Sequence, residues 1–168
     1  MYSRDENQIT DLRNRYRSSA LRPVLEIIER SRLLVVLGNP GSGKTSLLKY
    51  LALQWANEDR GPLPLFVELQ EYVKGRYGLL KHLESECACY HLDAREVDRR
   101  LKTGQVALFL DGLDEIFDIA MRASVIDEII ALASRYTRAP VVVTSPVIGY
   151  ESEKLQIAGF THATLEDF

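Results

Sequence analysis

Gly38-Asn39-Pro40-Gly41-Ser42-Gly43-Lys44-Thr45 matches G-x-x-x-x-G-K-[ST] at every position, and each residue type has a use if the stretch holds phosphate. Glycines permit positive φ and bring backbone N–H groups against phosphate oxygens with no Cβ in the way. A helix opening directly after them adds unpaired N–H groups and the positive end of its dipole. Lys44 is placed for the β- and γ-phosphates and the Thr45 hydroxyl for Mg²⁺, with Ser46 next in line as a phosphate contact. The plain alternative is a glycine-rich turn with a chance lysine. A complete motif with a strand before it and a helix after it argues against that.

A second group of residues supplies the opposite charge. Val106 to Leu110 is apolar and ends in Asp111, and an aspartate closing a buried strand is costly unless a cation meets it. Mg²⁺ is the natural partner. The text continues Asp111-Gly112-Leu113-Asp114-Glu115, so that Asp114 or Glu115 could orient or deprotonate an attacking water. The competing use of these two acids is to cap and flank the following helix.

Positioning both groups takes a strand at each. Leu33 to Leu37 is a short apolar run, as in a strand buried on both faces, and a helix follows with Leu47, Leu48, Leu51, Ala52 and Trp55 as its inward stripe. Leu63 to Leu69 comes after the breaker Gly61-Pro62 and is a second strand. A helical region with Leu79, Leu80 and Leu83 inside comes next, then a short helix capped by Asp93, presenting Val97 and Leu101 and ended by Thr103-Gly104. Val106 to Leu110 is the third strand. Ile119 to Tyr136 is a helix with Ile119, Ala123, Ile126, Ile129, Ile130 and Ala133 on one face. After Pro140, Val141 to Thr144 forms a fourth strand, and Thr161 to Leu165 is a weaker fifth. Strands alternating with helices predict a three-layer α/β fold: a mostly parallel sheet of about five strands with helices on both faces and ligands at the strands' carboxyl ends.

Composition excludes several other classes. The chain has 168 residues, enough for one sizeable core and too few for two ordinary domains. Its net charge of -3 gives no global attraction to nucleic acid or to an anionic membrane. No apolar run approaches the roughly 20 residues that span a bilayer, and the polar start, MYSRDENQITDLRNR, is unlike a signal peptide. A cytoplasmic protein is expected. Cys87 and Cys89, with His82 and His91 nearby, lack the second cysteine pair of a zinc site; they fit two reduced thiols at a helix end, partly in its core-facing stripe.

LVVLGNPGSGKTSLLKYLAL, PLFVEL, ALFLDGLDEI and VVVTSPVIGY together resemble the nucleotide-binding core of the NACHT family, within the STAND class of signal-transduction P-loop ATPases. The resemblance runs from about Leu33 to Phe168, and DGLDE is its most specific piece, since a small residue follows the first aspartate and further acids come later. It implies a core binding ATP or ADP, with residues Gly38, Asn39, Pro40, Gly41, Ser42, Gly43, Lys44, Thr45 and Ser46 around the phosphates. Thr45 and Asp111 would hold Mg²⁺. Asp114 is the first choice for orienting water, with Glu115 beside it. The implied function is a regulatory switch with slow ATP hydrolysis at most, closed on ADP and self-associating on ATP, in a signalling or defence protein.

Two features depart from the family pattern. Thr144-Ser145 is followed by Pro146 where an arginine usually senses the γ-phosphate, and proline supplies neither a cation nor an N–H. The family's helical, winged-helix and sensor domains are also not in the sequence, so residues 31–168 read as a core cut before them, with residues 1–30 as an arm and lead-in helix. Arg13, Arg15, Tyr16 and Arg17 on that arm could touch phosphates but read as a solvated face. Outside the family, the alternative is a turnover P-loop NTPase of another class, AAA+-like or nucleic-acid-handling. A GTPase should show N-K-x-D, which does not occur, and a small kinase an arginine-rich lid, for which there is no candidate. Neither a membrane nor a nucleic-acid partner is expected.

Overall fold

A computed structural model describes residues 27, 30–57, 62–75, 77–89, 91–147 and 153–165. The chain divides into Met1–Ser31 and Arg32–Phe168. The arm, most of the lead-in helix and the last three residues lie outside the described residues, and the sheet with its connecting helices belongs to the second unit.

Among the described residues five strands form one sheet: β1 (Leu33–Leu37), β2 (Leu63–Glu68), β3 (Val106–Asp111), β4 (Val141–Ser145) and β5 (Thr161–Thr164). Their order is β2-β3-β4-β1-β5, and every pairing is parallel. The sheet is thus wholly parallel where a mostly parallel one was expected. The three central strands are the apolar runs LLVVL, VALFLD and VVVTS, buried at nearly every position because both faces are covered. Pro64 lies in β2, an edge strand, where proline's missing N–H does least harm. All five strands start where the sequence placed them; β3 and β4 each run one residue further, taking in Asp111 and Ser145, and β2 and β5 stop one residue earlier, at Glu68 and Thr164.

Among the described residues six helices connect the strands: α1 (Lys44–Ala56), α2 (Leu69–Gly75), α3 (Leu79–Ala88), α4 (Ala94–Thr103), α5 (Ile119–Arg135) and α6 (Glu153–Ile157). Successive strand residues point to opposite faces. On one face Leu33, Val35, Leu108, Leu110, Val141 and Val143 pack with Leu69, Leu83, Val97, Leu101, Ile129 and Leu155 from α2 to α6. On the other, Phe109 meets Trp55 of α1 edge-on, ring centroids 5.3 Å apart. The three layers follow directly.

Local chemistry fixes the helix ends. Asp93 Oδ1 accepts from Glu96 N at 2.8 Å and caps α4 as expected. Helix α3 has no cap of its own, and Glu128 of α5 supplies one, accepting from Leu79 N at 2.7 Å and from the Tyr72 hydroxyl at 2.6 Å. At the far end of α5, Arg32 Nη1 donates to the carbonyls of Ala133, Tyr136 and Ala139 at 3.3 to 3.4 Å.

Some expectations need correction. Ile119 is not on the inward face of α5: it is 74% exposed, and burial begins at Val125. Periodicity identifies a helix face but not how far along the helix the core extends. Within the α1 stripe Leu47, Leu48 and Leu51 are buried, while Ala52 and Trp55 are half-buried, Trp55 still packing on Phe109. The helical region after β2 is two helices. The cysteines fall as expected, two free thiols at the end of α3 with Cys87 in its buried stripe and Cys89 exposed, and no three His, Cys, Asp or Glu among the described residues gather as metal ligands. No helix among the described residues is long and apolar enough to cross a membrane.

Candidate nucleotide-binding site

The strand order creates the crevice. From β1 the chain crosses to the far edge, returns through β3 and β4, then passes over β1 to β5. The order therefore switches between β4 and β1, and ligands in such sheets bind beyond the carboxyl ends at that switch. The glycine-rich loop leaves β1 there, and Asp111 ends β3 one strand beyond β4.

The loop is held at its root. Gly38 N donates to Ser145 O at 3.2 Å, and Ser42 N donates to Asn39 O at 3.1 Å. A Cβ on Gly38 would run into the Ser42 hydroxyl, which is buried and has no hydrogen-bond partner. Gly43, at φ 92°, precedes α1 and provides no side-chain cap, so the first-turn N–H groups of α1 are left for a ligand. Lys44 is only 8% exposed. Its ammonium folds back onto the loop, donating to Gly38 O at 2.7 Å and Asn39 O at 3.0 Å. Both acceptors are backbone carbonyls of the loop itself.

A cavity of about 390 Å³ opens above these residues. Pro40, Gly41, Gly43, Lys44, Thr45 and Ser46 line one side. Asp111, Gly112, Asp114, Glu115 and Thr144 line the other. Of the predicted phosphate-binding residues, Gly38, Asn39 and Ser42 do not line it. A second cavity of about 400 Å³ lies between α3 and α5 beside Tyr77, Leu80, Leu132 and Tyr136. Its wall is mainly apolar, and the Glu128 carboxylate there already accepts from Tyr72 and Leu79.

The acidic side turns on Gly112. At φ 79° it reverses the chain after Asp111 into a 3₁₀ turn, Leu113–Glu115. A Cβ there would meet the Glu115 carboxyl carbon at 3.1 Å. Asp114 and Glu115 do not cap α5. That role falls to Asp118, whose Oδ1 accepts from Met121 N at 2.7 Å, and the earlier acids are free to face the cavity. Glu115 is exposed; partial desolvation of its carboxyl, followed by repulsion from Asp114, Asp111 and Glu68, raises its pKa from the ordinary value, with Lys44 opposing. Glu68 sits across from Asp111 in the strand register.

Thr45 and Asp111 face one cavity with hard oxygen donors, the set Mg²⁺ prefers. With a single protein carboxylate, such a site takes its remaining ligands from phosphate and water. The residues fit the ion in that mode.

A family model described as the NACHT domain matches residues 32–168. The chain belongs to the NACHT family. It is therefore a nucleotide-binding NTPase module with a P-loop fold. No curated protein sequence matches it. Among solved structures, AMPPCP-bound DnaA from Aquifex aeolicus is similar with a TM-score of 0.52 at 15% identity over 85% of this chain. PCH-2 of C. elegans is similar with a TM-score of 0.50 at 15% identity over 99%. The NACHT chain spans 44% of the length of each. At that identity the likeness speaks to the fold alone.

Sequence reasoning missed two residues around this site. Thr144 hydrogen-bonds to both Asp111 and Gly112, and Glu68 adds to the field on Glu115. Both are polar residues at or next to the end of an apolar strand, and that was the available signal. Pro146 follows Ser145 directly and is half-buried beside the root of the loop. Arg135 pairs with Asp98, and the Arg138 carbonyl lies against Gly104; both arginines precede β4, at the end of the sheet away from the cavity.

Proposed function

We propose that this NACHT module binds ADP and ATP with Mg²⁺ as the core of a regulatory switch, hydrolysing ATP slowly at most. The observation that carries the reading is the convergence, in one cavity, of Lys44 and Thr45 from the loop with Asp111, Asp114 and Glu115 from the end of β3. In this reading Lys44 leaves its two carbonyls to bind phosphate, and the first-turn N–H groups of α1 bind the rest. Thr45 and Asp111 hold Mg²⁺, which when bound offsets phosphate charge. Asp114 orients the attacking water, and Glu115, with its raised proton affinity, stands beside it to accept a proton.

Adenine preference is supported by the family and by the lack of an N-K-x-D guanine motif. Residues 31–168 would serve as the core and residues 1–30 as its lead-in arm, in a cytoplasmic signalling or defence protein that self-associates on ATP. Helical, winged-helix and sensor domains would complete the switch. Pro146 supports slow turnover, since no cation stands at that position to stabilise charge on the γ-phosphate.

One observation favours a turnover ATPase instead: the Glu115 carboxylate lines the same cavity as Lys44 and Thr45, where a water-activating base would stand. A phosphate-release assay at saturating ATP and Mg²⁺ separates the two readings. A switch core should turn over well below about 1 s⁻¹, the lower end for ordinary enzymes. Faster release overturns the switch assignment.

A further inference from the structure

Adjacent residues of β4 hold the two halves of the site. The Ser145 carbonyl accepts from Gly38 N and fixes the root of the phosphate loop. The Thr144 hydroxyl, fully buried, reaches the other way. It donates to Asp111 Oδ1 at 2.6 Å and accepts from Gly112 N at 2.8 Å. A hydroxyl has one hydrogen, and an amide can only donate, so the direction of both bonds is determined. The shorter bond lies in the charge-assisted range for a hydroxyl on a carboxylate.

Two consequences follow. The Asp111 side chain is held in one orientation, with one carboxylate oxygen committed to Thr144. Gly112 is pinned at both ends as well, since its N–H is on Thr144 and its C=O accepts from Glu115 N at 3.0 Å. The turn carrying Asp114 and Glu115 thus hangs from the same hydroxyl that orients Asp111.

We propose that Thr144 is a positioning residue: its hydroxyl aims Asp111 at the metal and locks the acidic turn to it. This rests on the reading of Asp111 as a Mg²⁺ ligand. Partners that orient a metal ligand typically account for about 10- to 100-fold in metal affinity, and Thr144→Val removes the hydroxyl while keeping the volume.

The test is calorimetry of ADP binding across a Mg²⁺ titration, for the wild type, Thr144→Val, Thr144→Ser, Asp111→Asn and the Thr144→Val/Asp111→Asn pair. Valine should leave metal-free ADP affinity unchanged and raise the Mg²⁺ concentration for half-maximal tightening about 10- to 100-fold. Serine should behave as wild type. In the Asp111→Asn background valine should change nothing further, because both act through one carboxylate. Should the valine variant not fold, Thr144→Cys, with its weak S–H donor, takes its place with a smaller shift in the same direction. A wild-type Mg²⁺ response in the valine variant, an equal loss of metal-free binding, or additive effects in the pair overturns the proposal. A wild type with no Mg²⁺ response sinks the Asp111 reading itself, and the wild-type titration alone reveals that.

Discussion

Replacing Lys44 with alanine should separate binding from folding. Lys44 is 8% exposed, and its ammonium donates to Gly38 O at 2.7 Å and Asn39 O at 3.0 Å. Hydrogen bonds of a charged group contribute about 1.5–3 kcal/mol each. Keeping an ammonium out of water costs several kcal/mol, so the two nearly cancel and the stability of Lys44→Ala should lie within about 1 kcal/mol of wild type. For a chain of this size that is a melting shift of about 2–4 °C. Nucleotide binding has no such offset. Truncating one partner of a buried, hydrogen-bonded charge pair costs about 2–5 kcal/mol, which is about 30- to 4,000-fold in affinity at 1.4 kcal/mol per decade. Thermal denaturation and calorimetric titration of ADP on the same preparation give both numbers. Unchanged ADP affinity would refute the assignment of the loop. A collapse in melting temperature would refute the cancellation and make Lys44 a structural residue.

Three further outcomes are expected. Asp111→Asn should abolish the Mg²⁺ dependence of ADP binding by calorimetry, and persistence of that dependence places the metal elsewhere. Pro146→Arg should raise affinity for ATP relative to ADP, because a guanidinium beside the loop root adds charge that only a γ-phosphate uses; an unchanged ratio means position 146 does not meet the nucleotide. Glu115→Gln should raise the melting temperature near neutral pH and lose the gain in acid. The sign follows from the raised affinity of Glu115 for its proton in the folded state: stability from that proton is complete below the unfolded pKa and lost as pH rises through the folded one. At neutral pH the ionised carboxylate is therefore a burden that glutamine lacks, and a gain independent of pH would contradict this cause.

Much of this architecture was legible because buried parallel strands leave a strong trace. LLVVL, VALFLD and VVVTS have few polar positions, and the glycine-lysine motif between a strand and a helix marks where phosphate goes. Strand order left no such trace. Nothing in VVVTS says that it lies between β3 and β1, and without that adjacency the Thr144 hydroxyl cannot be assigned to Asp111. Ile119 matched the α5 period yet lies beside the Asp118 cap in the exposed stretch Phe117–Ile119. The break between α2 and α3 did leave a trace, Gly75 and Gly78, but the cap of α3 did not, since it comes from Glu128, 49 residues away in sequence.

The most direct test of the central claim is calorimetric titration of the protein with ADP, ATP and GTP, each with and without Mg²⁺. Adenine nucleotides should bind, Mg²⁺ should tighten them, and GTP should bind weakly or not at all. Absence of nucleotide binding, or equal binding of GTP, would contradict the claim that the cavity between Lys44 and Asp111 is an adenine-nucleotide site.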